Sequence, residues 1–203
     1  MGRVEVKPAE FTLVKYDAGQ IAGITEELAA KVGVPDDVPI VVDVDEELPS
    51  PLTGSAVAIV DGTAVLWFSG GNFENGQRRM HFDEPMARNE LALSLFRARD
   101  RLQPGFADAP SDEELSDAQR GVWDTWADGR AERLGEETRP VRRRYVFRLY
   151  NGFTDVADAV FERLWSADEL TWADLDAIGN ECAEADPRPE AKKRVPGKES
   201  LRR

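Results

Sequence analysis

The stretch Val57-Ala58-Ile59-Val60-Asp61-Gly62-Thr63-Ala64-Val65-Leu66-Trp67-Phe68 decides the fold class. Two β-prone runs are joined by Asp-Gly, the pair that supplies positive φ for a type I′ turn, which predicts a β-hairpin. Upstream, Ile40, Val42 and Val44 alternate with Val41, Asp43 and Asp45, a strand with one dry face and one wet face that carries carboxylates. Val4 to Val6 and Phe11 to Val14 are shorter strand candidates. Between Asp17 and Gly33, Ile21, Ile24, Leu28 and Val32 recur at helical spacing, and Gly33 and Pro35 close the helix. Downstream, a Gly/Asn-rich loop runs from Gly70 to Gly76. Met80 and Phe82 then alternate with Arg79 and His81, which predicts a third strand of a meander.

From Glu84 onward the pattern is helical. Pro85 stands in a first turn, and Ala87, Leu91, Leu95, Ala98 and Leu102 form one stripe up to the stop at Gln103-Pro104-Gly105. Ser111-Asp112-Glu113-Glu114 reads as a capping box opening a second helix, with Leu115, Ala118, Val122 and Trp126 inward and Gly135 as its stop. Val141, Tyr145, Leu149, Phe153, Val156, Val160 and Leu164 repeat every three or four residues, which predicts a long central, most buried helix with a bend at Asn151-Gly152. A last helix starts at the capping box Thr171-Trp172-Ala173-Asp174 and turns Trp172, Leu175, Ile178 and Cys182 inward. The expected fold is α+β: a small, mainly antiparallel sheet with one helix, followed by a helical C-terminal half of about four helices. The sheet-rich part covers 1–83 and the helical part 84–185, packed on the first as one unit. Residues 186–203, with three prolines and many charges, read as a disordered basic tail.

Charge divides the same way. Seven cationic and two acidic side chains in 188–203 leave about +5 there, against about −18 on the rest of a chain whose total is −13. Such a body repels phosphate backbones, so nucleic acid is a partner only through the tail, where Lys192, Lys193 and Arg194 are the candidate binding residues. The single cysteine, Cys182, forms no internal disulfide and fits a reducing, cytoplasmic setting. The longest apolar runs fall far short of the roughly 20 residues of a spanning helix, and the start of the chain lacks a signal-peptide pattern, so no membrane is expected.

Residues able to perform chemistry are sparse. His81 is the only histidine, which removes His-rich zinc sites and relays of two imidazoles. A grouping of His81 with Ser69 and Asp83 lacks a nucleophile-elbow context, and Cys182 has no basic neighbour to activate it. Asp43 and Asp45 share a strand face, the geometry by which an Asp-x-Asp pair holds a divalent cation, and are the only metal candidates. Asp124, Asp128 and Glu132, like Asp155, Asp158 and Glu162, read as wet helix faces. The binding candidates in the folded part are Phe73, an aromatic at a loop tip, and the cluster Arg142, Arg143, Arg144 and Arg148, whose guanidiniums suit carboxylates or phosphates and have Glu136 and Glu137 nearby. No cofactor is expected.

The function these features favour is a non-catalytic soluble interaction protein with a protein partner. The alternatives are an enzyme dependent on carboxylates and a divalent metal, and tail-mediated nucleic-acid binding. The order of helix, strands, hairpin and long helix is also loosely similar to that of minimal zincin metallopeptidases. The helix that would carry their His-Glu-x-x-His reads Asn89-Glu90-Leu91-Ala92-Leu93, so the resemblance implies a degenerate scaffold from which that zinc hydrolysis is lost.

Overall fold

The computed structural model describes residues 3–186 and Arg188. Four strands, β1 (Val4–Lys7), β2 (Ile40–Asp45), β3 (Ser55–Val60) and β4 (Thr63–Ser69), form one sheet in the order β1-β2-β4-β3. The hairpin is present: β3 and β4 pair antiparallel across Asp61-Gly62, both at positive φ. The other two pairings are parallel, so the sheet is mixed and not mainly antiparallel. The reason is topological. Helix α1 (Ala18–Val32) is the crossover that returns the chain beside β1, and the β3–β4 turn brings β4 back into the gap next to β2, in the same direction as β2.

Two further strand expectations are corrected. Phe11 to Val14 is irregular, and the segment around His81 contributes only an isolated bridge between Lys15 and His81, because Met80 takes a positive φ that breaks the extended run. The Gly70–Gly76 segment is also no open loop. Gly70–Phe73 is a buried 3-10 turn in which a Cβ on Gly71 would overlap the Leu52 carbonyl.

Helices α1 and α2 (Glu84–Arg101) pack on the sheet, and their apolar stripes meet Val42, Val44, Val57, Leu66 and Phe68 in the first of two hydrophobic clusters. Asp17 and Asp83 cap the two helices by accepting from backbone amides. The second cluster lies among α3 (Asp117–Arg133), α5 (Asp155–Ser166) and α6 (Trp172–Ala185), with Phe147 of α4 (Pro140–Asn151) inserted. Ser111 donates from both its amide and its hydroxyl to the Glu114 carboxylate, but the two close a turn. The helix starts later, at a capping box of Ser116 and Gln119. The box at Thr171 and Asp174 opens α6 as expected.

The predicted long central helix is two helices. Gly152, at φ 103, and the Thr154 cap break it, and α4 does not bury its apolar stripe. Its inward face is Arg143, Phe147 and Asn151, one every fourth residue; Val141 and Tyr145 point to solvent, 85% and 58% exposed. The helix in the middle of the bundle is α3, which packs against α2, α4, α5 and α6.

Two helices of that bundle meet tightly at Gly129 of α3, where a Cβ would overlap the carbonyl of Trp165 on α5. Gly129→Ala should therefore lower the free energy of unfolding by about 2–4 kcal/mol, read as a reduced urea midpoint with an unchanged m-value. Unchanged stability would mean that α5 sits farther from α3.

Candidate functional site

Many of the buried and half-buried polar residues gather in one seam between α2 and α3. On α2, Glu90, Ser94, Arg97 and Arg101 recur at helical spacing; on α3, Arg120, Asp124 and Asp128 do the same. At one end stands Asp112, buried in the connection before α3. Its carboxylate accepts from Arg97 Nη2 at 2.5 Å, Arg101 Nη2 at 2.6 Å, Arg120 Nη1 at 3.4 Å and the Val57 amide at 2.9 Å. Burial by itself would raise the Asp112 pKa, but Arg97, Arg120, the Val57 amide and Arg101 together hold it below the ordinary aspartate value. Arg97 has no exposed surface, and Trp123 lies under both Arg97 and Arg101.

At the other end stands the half-buried Glu90. Asn72, from the 3-10 turn, accepts from the Gly54 amide and the Ser69 hydroxyl and donates to Glu90 Oε2 at 2.9 Å. Arg143 of α4 donates to Asp128 at 2.5 Å and lies 3.6 Å from Asp124; the Arg97 Nη1 group lies 3.6 Å from the other Asp124 oxygen. Crowding by protein atoms pushes the Glu90 pKa up to about 7, and Asp128 and Asp124 push the same way against the pull of Arg143 and Asn72. Asp128 is also raised, by burial first, although Arg143 opposes it. Asp124 and Asp128 are thus interior groups and not a wet helix face. Nothing in the sequence marks them out, because a carboxylate stripe on a helix reads the same whether it meets water or arginines.

The sequence-predicted residues are dispersed. Phe73 is fully buried against Phe68 and Phe82, which corrects its expected place at an exposed tip. The arginine cluster is largely consumed within the fold: Arg143 in the seam, Arg144 by Glu162 and Arg148 by Asp158, while Glu136 pairs instead with Arg88. Arg142 alone of the four stays exposed and out of the ion pairs among the described residues. Lys192, Lys193 and Arg194 lie outside the described residues. Ser69 spends its hydroxyl on Leu52, Gly54 and Asn72, and His81 Nδ1 lies 2.9 Å from the Arg79 carbonyl, so no relay joins them. Burial pushes the Cys182 thiol up to about 11, away from nucleophilic use.

Asp43 and Asp45 do share a face of β2, but among the described residues no three His, Cys, Asp or Glu side chains gather to hold a metal ion. In the zincin comparison, Asn89 and the buried Leu93 occupy the two histidine positions, and Leu93 has no donor atom. A cavity of about 330 Å³ opens beside Phe106, Trp126 and Arg130. At its wall Arg130 binds Asp100 through two bonds of 2.7 and 2.8 Å, and Asp100 also accepts from Trp123.

Outside the seam, the α4–α5 corner carries the most prominent apolar surface. Val141 and Tyr145 are joined there by Phe153, 57% exposed, whose ring meets Tyr145 edge to face at 6.2 Å, and by Val156, 36% exposed. Among the described residues no helix is long and apolar enough to cross a membrane. Comparison with known proteins finds no matching family, no matching curated protein and no matching solved structure.

Two outcomes follow from the seam. Asp112→Asn, which takes from the buried Arg97 the closer of its two anions, should cost about 3–5 kcal/mol of stability in urea titration; a cost below about 1 kcal/mol would remove Asp112 as an anchor. Glu90 has a folded pKa above its unfolded value, so it binds a proton more tightly when folded. Its contribution is therefore most favourable below about pH 4.5 and declines as pH rises to about 7. Glu90→Gln should cancel that decline, gaining up to about 3 kcal/mol over wild type by pH 8 and nothing at pH 4. A pH-independent difference would contradict the assignment.

Proposed function

We propose that this chain is a non-catalytic interaction protein whose docking surface is the α4–α5 corner. One observation carries the reading: α4 turns an arginine, a phenylalanine and an asparagine inward and leaves Val141 and Tyr145 in solvent, continued by Phe153 and Val156. A helix whose apolar stripe faces away from the core has its burial completed by something else, and contiguous apolar surface of this kind marks interaction sites. Tyrosine and phenylalanine are also the side chains that anchor interfaces. The lone cysteine and the acidic body remain in keeping with a cytoplasmic setting.

An enzymatic reading through carboxylates finds its support at Glu90 and not at Asp43 and Asp45. A carboxyl group with a pKa near 7 is suited to proton transfer, and Asn72 orients it. Its immediate neighbours are committed to the seam, however, and this ranks second.

The docking surface is tested by placing a photo-crosslinking phenylalanine analogue at position 145 in the full-length chain in cells, with the exposed turn residue Asp61 as the control position. Position 145 should give one discrete adduct that position 61 does not, and Phe153→Asp should abolish it while leaving the helical circular dichroism unchanged. Equal labelling from both positions, or none from 145, would overturn the reading.

A further inference from the structure

The partner's chemistry can be read from the charges that frame the exposed stripe, an inference that rests on the docking surface proposed above. At the α4 N-terminus, Arg142 is exposed and takes part in no ion pair among the described residues. At the opposite end, in the first turn of α5, Asp155 is exposed and equally uncommitted among the described residues. The arginines between them are neutralised, Arg144 by Glu162 and Arg148 by Asp158. The surface therefore has an apolar middle, one basic end at the start of α4 and one acidic end at the α4–α5 turn.

We propose that the partner is a second copy of this chain, docked antiparallel on α4 about a two-fold axis. A two-fold contact is isologous, so whatever residue i touches in the partner is touched in return. Antiparallel placement sets Arg142 of each protomer beside Asp155 of its partner, twice over, and lays Val141 of one copy against Phe153 of the other with the two Tyr145 rings near the axis. A parallel placement would face like charges at both ends. The rest of the molecule argues for the same location. A chain with a net charge of −13 repels its own copies over most of its surface, and close approach is tolerated only where the local charge is near zero. The α4–α5 corner is such a place, because its arginines offset the acidic residues of α5.

Sedimentation equilibrium of the full-length chain from about 1 to 200 µM should show a mass rising to twice that of the monomer. Tyr145→Glu should leave a monomer throughout. Arg142→Asp should weaken association about tenfold, since two symmetric pairs change from attraction to repulsion. The double variant Arg142→Asp with Asp155→Arg restores complementary ends and should recover most of the loss. Circular dichroism and thermal unfolding matched to wild type confirm that each variant is folded. A wild-type chain that stays monomeric, a dimer that survives Tyr145→Glu, or a charge swap that recovers nothing would each overturn the antiparallel dimer. A cross-link from position 145 to a molecule of another mass, with the chain monomeric alone, would leave the docking surface standing and refute only the self-partner.

Discussion

One carboxylate, that of Asp112, ties the layers of this protein together. It takes the outward-facing amide of Val57 on the edge strand β3, two arginines of α2 and one of α3, so that a single buried anion has partners on three elements. An edge strand otherwise presents free amides to any passing strand, and filling one with an internal acceptor blunts that hazard. The same anion allows Arg97 to lie wholly inside the molecule. A buried guanidinium without its counter-ion would cost several kcal/mol, so the placement of α2 against α3 depends on Asp112 being there and ionised.

The apolar cores follow from that seam. On one side, α1 and α2 close over the sheet; on the other, α3 gathers α5, α6 and Phe147. Between the two clusters runs a row of acids and arginines where a simpler design would place leucines. Such a row adds little net stability compared with apolar packing of the same volume, because desolvation offsets most of the Coulomb attraction. It does fix register. Arg97 reaches Asp112 and Asp124, and Arg143 reaches Asp124 and Asp128, only if α2, α3 and α4 stand at one relative height.

Most local features of this fold were legible in the residues, short segments such as 11–14 and 80–82 excepted, and nonlocal ones were not. The Asp61-Gly62 turn, the alternation at Ile40 to Asp45, the cap at Thr171 and the stripe of α2 each depend on neighbours within a few positions, and each is where the pattern puts it. The strand order depends on where α1 returns the chain, and no local pattern encodes that. Phe73 sits among glycines and asparagines that suggest an open loop, yet one of those glycines, Gly71, is needed because the Leu52 backbone comes too close for a side chain. The candidate site divides in the same manner. Arg142, Arg143, Arg144 and Arg148 stood out as a cluster, but which would pair inward was set by acids 10 to 20 positions away. Glu90 gave no signal at all, since its raised pKa comes from crowding that only the folded chain supplies.

The orientation of α4 joins the seam to the surface. Two stripes compete to face inward on this helix, Val141-Tyr145-Leu149 and Arg143-Phe147-Asn151, and hydrophobicity alone favours the first. The second wins because the buried Asp128 and half-buried Asp124 lie opposite it and draw Arg143 in, and because Phe147 fills a gap against Phe161. Turning α4 to hide Val141 and Tyr145 would strand the Asp128 carboxylate in the interior and take one of two arginines from Asp124, a penalty of about 3–5 kcal/mol set against the roughly 1.5–3 kcal/mol gained for each apolar side chain covered. The outward apolar stripe is thus a consequence of the inward ionic one. Glu90, which feels the Arg143 charge yet carries its proton up to about pH 7, stands beside this ionic set as a neutral hydrogen-bonding group until the pH rises past that point.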